Sequence, residues 1–155
     1  MTSIYNIKEM IEKSMNRERL SHDLYLEWSE KVLDADAKKV LISLANDENR
    51  HREILEKMLR DGKVEIDDEK SGAVSNAPLV KAPEVAELTP ESTAKEFISY
   101  AIAHEEMAVQ YYSRYMDVFR DTELFPFFER MKKEEQGHKI KLEKIFLKNY
   151  AGRKG

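Results

Sequence analysis

Apolar residues recur every three or four positions along most of this chain, and polar residues fill the positions between them. That period is typical of amphipathic helices and differs from the two-residue alternation of a half-buried strand. It predicts four helices, over about 7–33, 34–60, 90–120 and 121–149. The fold class predicted from the pattern is all-α.

Short signals predict where these helices begin and end. Asp34 and Asp121 are typical N-caps for the second and fourth helices, and Asp61-Gly62 is typical of a C-terminal stop. Thr89-Pro90-Glu91 predicts the start of the third helix, with proline at the first helical position. Pro126 falls just inside the predicted fourth helix, where we expect a lost hydrogen bond or a small kink.

Residues 61–90 break the helical pattern with small and polar residues and two prolines. We interpret this segment as a long crossover connection between a first helical hairpin, 1–60, and a second, 91–150, within one domain spanning 1–155. A linker without structure of its own is the alternative interpretation.

The two halves carry the same acidic and histidine residues at the same spacing. Glu18 precedes Glu48 and His51, and 87 residues later the same three residue types return. The second set consists of Glu105, Glu135 and His138. The chain has 21 Glu among 155 residues, so the chance that four designated positions are all Glu is on the order of one in a thousand or less. A single Glu-x-x-His would indicate only a solvated helix face.

Helical geometry places each Glu-x-x-His pair on one side of its helix, because residues three apart differ by about 60°. Glu18 lies 16 residues before Asp34 and Glu48 lies 14 after it, so both reach similar heights in an antiparallel pair. The second half repeats this arrangement about Asp121. Four carboxylates and two imidazoles in a helical bundle are the ligands of a two-metal site.

Composition narrows the classes of function. The net charge is −4 with both signs interspersed, which argues against nucleic acid as the main partner. The chain has no Cys, which excludes disulfides, thiol catalysis and iron–sulfur centres within it. No apolar run approaches the roughly 20 residues that span a bilayer, and no signal peptide is recognisable, so the expected location is cytoplasmic.

These motifs resemble those of the ferritin-like di-iron carboxylate proteins, and within them the rubrerythrin-like branch. The resemblance rests on the two Glu-x-x-His motifs, on Glu105 with Tyr112, and on the weaker copy, Glu18 with Tyr25. The four-helix order with its long crossover matches as well, which implies a ferritin-like four-helix bundle. The chain resembles members without a rubredoxin domain, since it has no Cys. Rubrerythrins also tend to have an additional glutamate three residues after the ligand of the third helix, where this chain has Ala108.

The resemblance implies a role for each ligand. Glu48 and Glu135 would bridge two iron ions, Glu18 and Glu105 would be terminal ligands, and His51 and His138 would supply one nitrogen each. Mn or Zn could substitute for iron. Tyr25 and Tyr112 follow Glu18 and Glu105 by two helical turns. They would donate hydrogen bonds to ligand carboxylates or relay electrons. The alternative is that both are ordinary core tyrosines.

The resemblance further implies an oxidoreductase that reduces hydrogen peroxide, or O₂, with electrons from an external carrier such as rubredoxin. Ferroxidase or iron-handling activity is one alternative, and a non-catalytic bundle stabilised by metal is another. We expect the chain to form a homodimer and to have no membrane partner. The basic residues near the C-terminus would form a solvated face or dock an acidic electron donor.

Overall fold

A computed structural model of the chain describes residues 7–61 and 86–150, and these residues form four α-helices with no strand among them. The helices are α1 (Ile7–Lys31), α2 (Ala35–Arg60), α3 (Ala94–Val118) and α4 (Phe125–Asn149). The chain divides into two compact units. One contains α1 as far as Glu30 together with α2, and the other contains α3 and α4. The predicted crossover lies mostly outside the described residues.

In the first unit, Asp34 ends the short connection between the helices and caps α2, as predicted. Its carboxylate accepts a hydrogen bond from the Ala37 amide at 2.9 Å. This bond satisfies one of the backbone donors that the first turn of a helix leaves unpaired. At the other end, Asp61 is the C-cap and its amide bonds back to Lys57. Gly62 lies outside the described residues.

The buried face of α2 explains how this hairpin packs. Its buried residues recur three or four apart, so that they form one stripe along the helix. They are Ala37, Leu41, Leu44, Ala45, Glu48, His51, Leu55 and Met58. Six of the eight are apolar, and the other two are the predicted ligand pair. The sequence therefore places a carboxylate and an imidazole where helical packing calls for apolar side chains.

The predicted start of α3 was wrong. Thr89 and Pro90 belong to a turn in which the Ser92 amide bonds to the Thr89 carbonyl, and the helix begins at Ala94. Thr93 is the N-cap: its hydroxyl accepts from the Glu96 amide at 3.1 Å, and the Glu96 carboxylate accepts from the Thr93 amide at 3.0 Å. This reciprocal capping box satisfies two backbone amides at the start of α3, which explains why the helix begins here.

The predicted start of α4 was also wrong. Its N-cap is Leu124, three residues after Asp121. Proline explains the shift, because a helix that began at residue 122 would need an amide at Pro126 to bond to the Thr122 carbonyl. With α4 starting at Phe125, Pro126 lies in the first turn, where no amide donor is required. The predicted cost of Pro126 was therefore wrong as well.

The second unit has an aromatic core. Tyr112, Tyr115, Phe119 and Phe128 are all at most 5% exposed, and Phe128 contacts each of the other three. The ring centroids of these three pairs lie 5.4–6.1 Å apart, a separation at which aromatic rings attract one another beyond their burial alone. This cluster fixes α3 against α4 near the turn that joins them.

Candidate metal centre

In the first unit, the predicted ligands are buried and close together. Glu18 comes from the middle of α1, whereas Glu48 and His51 come from one face of α2. They are 3%, 1% and 1% exposed. One ligand atom from each residue lies within 4.8 Å of the others. His51 Nδ1 lies 3.6 Å from Glu18 Oε2.

In the second unit, the repeat-related residues adopt a similar arrangement. Glu105 comes from α3 and is fully buried, while Glu135 and His138 come from α4 and are 1% and 3% exposed. His138 Nδ1 lies 3.7 Å from a carboxylate oxygen of Glu105 and 3.7 Å from one of Glu135. Ligand atoms of the three residues again lie within 4.8 Å of one another. Each hairpin thus brings together its own predicted set.

A divalent metal ion fits both sets chemically. Two carboxylates and one neutral imidazole carry a charge of −2, which one divalent cation balances. Burying two carboxylates together without a counter-ion would be strongly unfavourable. The 3.6–3.7 Å separations exceed a hydrogen bond, yet they are close to the roughly 3.0–3.4 Å expected between two atoms that each lie about 2.1 Å from one ion. The mixed oxygen and nitrogen donors suit iron, manganese or zinc.

Tyr25 and Tyr112 lie in the interior, and each is 1% exposed. Each follows the glutamate of its helix by seven residues, or about 10 Å along the helix axis. The Tyr112 ring packs against Phe128 and against Tyr115, with centroids 6.1 and 5.8 Å away. A packing role for Tyr112 is therefore visible, and a chemical role for either tyrosine stays a prediction.

Two buried serines make the surroundings of Glu18 more polar than those of Glu105. Ser14 and Ser21 are 0% and 3% exposed and lie four residues before and three residues after Glu18. Ser14 Oγ accepts a hydrogen bond from Arg17 at 2.9 Å, and Ser21 donates one to the Arg17 carbonyl at 2.9 Å. Ser21 belongs to the weaker copy of the motif, Glu18-x-x-Ser21, but neither serine was predicted as a polar neighbour of Glu18, although the spacing places both on its face. Alanine stands at both equivalent positions of the second half.

The remaining histidines lie outside the two sets. The side chain of His22 is 27% exposed, and its Nδ1 lies 3.0 Å from the Asp23 carboxylate. The His104 ring stacks on Tyr100, with centroids 6.1 Å apart and planes inclined by 12°. In the parts of the chain that the structure describes, no helix is long and apolar enough to cross a membrane.

These observations define a class: an all-α protein whose helical hairpins enclose buried carboxylate and imidazole ligands. Comparison with solved structures supports the fold of this class. A protein of Thermotoga maritima, described as a proposed ferritin-like diiron-carboxylate protein, has a similar fold with a TM-score of 0.72. The alignment covers 94% of this chain and 97% of that protein at 19% identity. The predicted ferritin-like four-helix bundle is thereby confirmed.

The family follows from the sequence comparison. The family model for rubrerythrin matches residues 1–84, which is more than half of the chain. The chain therefore belongs to the rubrerythrin family, and the resemblance inferred from its motifs is confirmed. A search of curated proteins finds no match to it.

Proposed function

We propose that this protein is a non-haem di-iron oxidoreductase that reduces hydrogen peroxide, or O₂, with electrons from an external carrier protein. The observation that carries the proposal is the pair of buried Glu–Glu–His sets, one in each hairpin of a rubrerythrin-family chain. Each set would hold one iron ion, and together they would form a dinuclear centre. The T. maritima protein that shares the fold is described as a proposed ferritin-like diiron-carboxylate protein, and a two-metal site of that kind is the one proposed for this chain.

The chain's own residues would divide the work as the family resemblance implies. Glu48 and Glu135 would bridge the two ions, Glu18 and Glu105 would each bind one ion, and His51 and His138 would each supply a nitrogen. The iron pair, when bound, supplies the two electrons that split the O–O bond of peroxide. Four carboxylates would neutralise two ferrous ions, so that the reduced site would carry no net charge. Burial of all six residues keeps bulk water away from this charge-balanced group.

The overall reaction needs two electrons and two protons for each peroxide, and it yields two molecules of water. This chain has no Cys and therefore no iron–sulfur centre of its own to supply the electrons. A separate one-electron carrier such as rubredoxin would be oxidised twice per turnover. Tyr25 and Tyr112 would relay charge at the site or support it by packing.

Metal analysis combined with a peroxide assay tests this proposal. Protein produced in iron-supplemented medium should contain about two iron ions per chain and should consume peroxide when a reductant is present. Glu48→Gln and Glu135→Gln should each lose iron and activity. Glu12→Gln is the matched control, because Glu12 is an exposed position of α1. Wild-type protein that binds no iron, or binds it without consuming peroxide, would refute the proposal.

Column sizing separates this function from iron storage. Storage of a mineral core needs a hollow cage of many subunits, whereas an enzyme of this type needs only a small assembly. We expect a homodimer of the 18.2 kDa chain. A 24-subunit particle would favour storage instead.

A further inference from the structure

The outward side of α4 carries a line of positive charges. Successive members are three, four or eight residues apart, which aligns them along one side of the helix. The stripe consists of Arg130, Lys133, Lys141, Lys144 and Lys148, and all five are exposed. Lys139 lies off this line, on the side of α4 from which it bonds to Glu106 of α3. The stripe therefore lies on the exposed side of α4, away from the contact that Lys139 makes with α3.

The eight-residue gap in this stripe is filled by a glycine. Gly137 lies four residues from both Lys133 and Lys141, and a Cβ built on it would meet no described atom within 4 Å. Glycine inside a helix is destabilising relative to alanine, so the position needs a reason that packing within the described chain does not supply. The missing side chain lets another molecule approach the backbone of α4 closely, at a position between Glu135 and His138 in the sequence.

Apolar side chains border the same stripe. Ile140 and Leu147 are 52% and 67% exposed and lie two turns apart. The surface therefore combines a row of cations, a small apolar strip and a central gap. Protein–protein contacts commonly combine apolar and charged side chains, and here the cations form the row while the apolar pair lies along its edge.

The repeat supplies an internal comparison. The six positions of the first hairpin that correspond to the five stripe residues and Gly137 carry two cations and one carboxylate. They are Ser43, Asn46, Arg50, Ile54, Lys57 and Asp61. Both hairpins carry a ligand pair on the equivalent helix, yet only this helix has the five cations. The metal-binding scaffold therefore does not itself require them.

The local charge is opposite to that of the whole chain, whose net charge is −4. Five cations within about 27 Å of helix attract an acidic surface of similar size, since charges act over about 10 Å at 0.1 M salt. A long polyanion would also meet the negative charge of the remaining surface, so a compact acidic protein is the better match. Charge complementarity of this kind sets association rate and orientation.

We propose that this stripe, with Gly137 at its centre, is the docking surface for a small acidic one-electron carrier protein. The carrier would seat its redox group over Gly137, where the absent side chain shortens the path to Glu135 and His138 on the other side of the same helix. Two carriers would each be oxidised by one electron for every peroxide reduced to water. The inference rests on the proposed function and adds the route by which electrons enter.

Calorimetry can measure the affinity of the metal-loaded protein for oxidised rubredoxin at low ionic strength. This measurement tests the docking surface without relying on turnover. Lys133→Glu/Lys144→Glu should weaken the affinity at least about tenfold, because two attractive contacts become repulsive. Lys38→Glu/Lys39→Glu on α2 makes the same change of charge at exposed positions and should alter the affinity less than about twofold. Raising the salt concentration should weaken the wild-type complex.

Several results would contradict the proposed docking surface. They are an equal loss in both double variants, an affinity that is insensitive to salt, or binding of anionic phospholipid vesicles in place of rubredoxin. Lys133→Gln/Lys144→Gln should show a smaller loss in the same direction, which guards against misfolding of the reversed variant. Peroxide oxidation of chemically reduced wild-type protein needs no carrier. Its failure would refute the proposed function alone, whereas its success without rubredoxin binding would refute only the docking surface.

Discussion

The ammonium group of Lys139 donates a hydrogen bond to Glu106 Oε2 at 2.8 Å and so joins α4 to α3. Each partner is the immediate neighbour of a predicted ligand, since Lys139 follows His138 and Glu106 follows Glu105. The hydrogen bond raises the pKa of Lys139 and lowers that of Glu106. The pair therefore adds a contact between α3 and α4 directly beside the predicted ligands.

A double-mutant cycle should detect this contact. We expect Lys139→Ala and Glu106→Ala to show a coupling free energy of about 0.2–1 kcal/mol, because both side chains remain about one-third exposed and water screens the pair. Chemical denaturation of the two single variants and the double variant measures it. Additive losses in the cycle would mean that the contact contributes nothing to stability.

The two repeat-related aspartates should differ in their effect on stability. Asp34→Ala removes the cap of α2 and should cost about 1 kcal/mol of unfolding free energy. Asp121→Ala should change it by less than about 0.5 kcal/mol, because Asp121 is exposed and lies three residues before the N-cap of α4. Thermal or denaturant unfolding compares them. Equal losses at the two positions would contradict the assigned start of α4.

This contrast shows where sequence reasoning succeeds and where it fails. The period and the Glu-x-x-His spacing predicted the four helices, and they also predicted which ligands each hairpin would bring together. Repetition misled at Asp121, because a proline present in one copy alone moves the start of α4. Thr93 was missed because Thr89-Pro90 offered a competing start, and a capping box can be chosen with certainty only once the turn before it is known.

Acid should weaken the start of α3. The Thr93 backbone amide and hydroxyl both hydrogen-bond with Glu96 and lower its pKa below the ordinary value of 4.5. Because the folded-state pKa is the lower one, ionised Glu96 stabilises the protein fully at pH values above the ordinary pKa of 4.5. This contribution is lost as the pH falls through the lower, folded-state pKa. The difference in stability between wild type and Glu96→Gln should therefore shrink below about pH 4.5. A difference that stays constant or grows on acidification would contradict the capping box.

Gly137→Ala should stabilise the protein by about 0.5–1 kcal/mol, since alanine is the better helix former and its Cβ would meet no described atom within 4 Å. Thermal unfolding with the metal bound measures this gain. The same variant should bind rubredoxin more weakly if the gap receives a partner. A destabilised variant would mean that the position is constrained within the folded chain.

Metal removal should reverse the sign of a ligand mutation's effect on stability. With iron bound, Glu18→Gln or Glu105→Gln removes a ligand, so the variant should melt below wild type. Metal binding stabilises the folded protein by about 2.7 kcal/mol when the free metal concentration is a hundred times the dissociation constant. After chelation, the same change removes one of two buried carboxylates that repel each other within a set. The metal-free variant should then melt at or above metal-free wild type, whereas Glu12→Gln should shift neither form. Thermal unfolding of both forms measures this, and destabilisation of similar size in each would show that these glutamates serve the fold and not a metal ion.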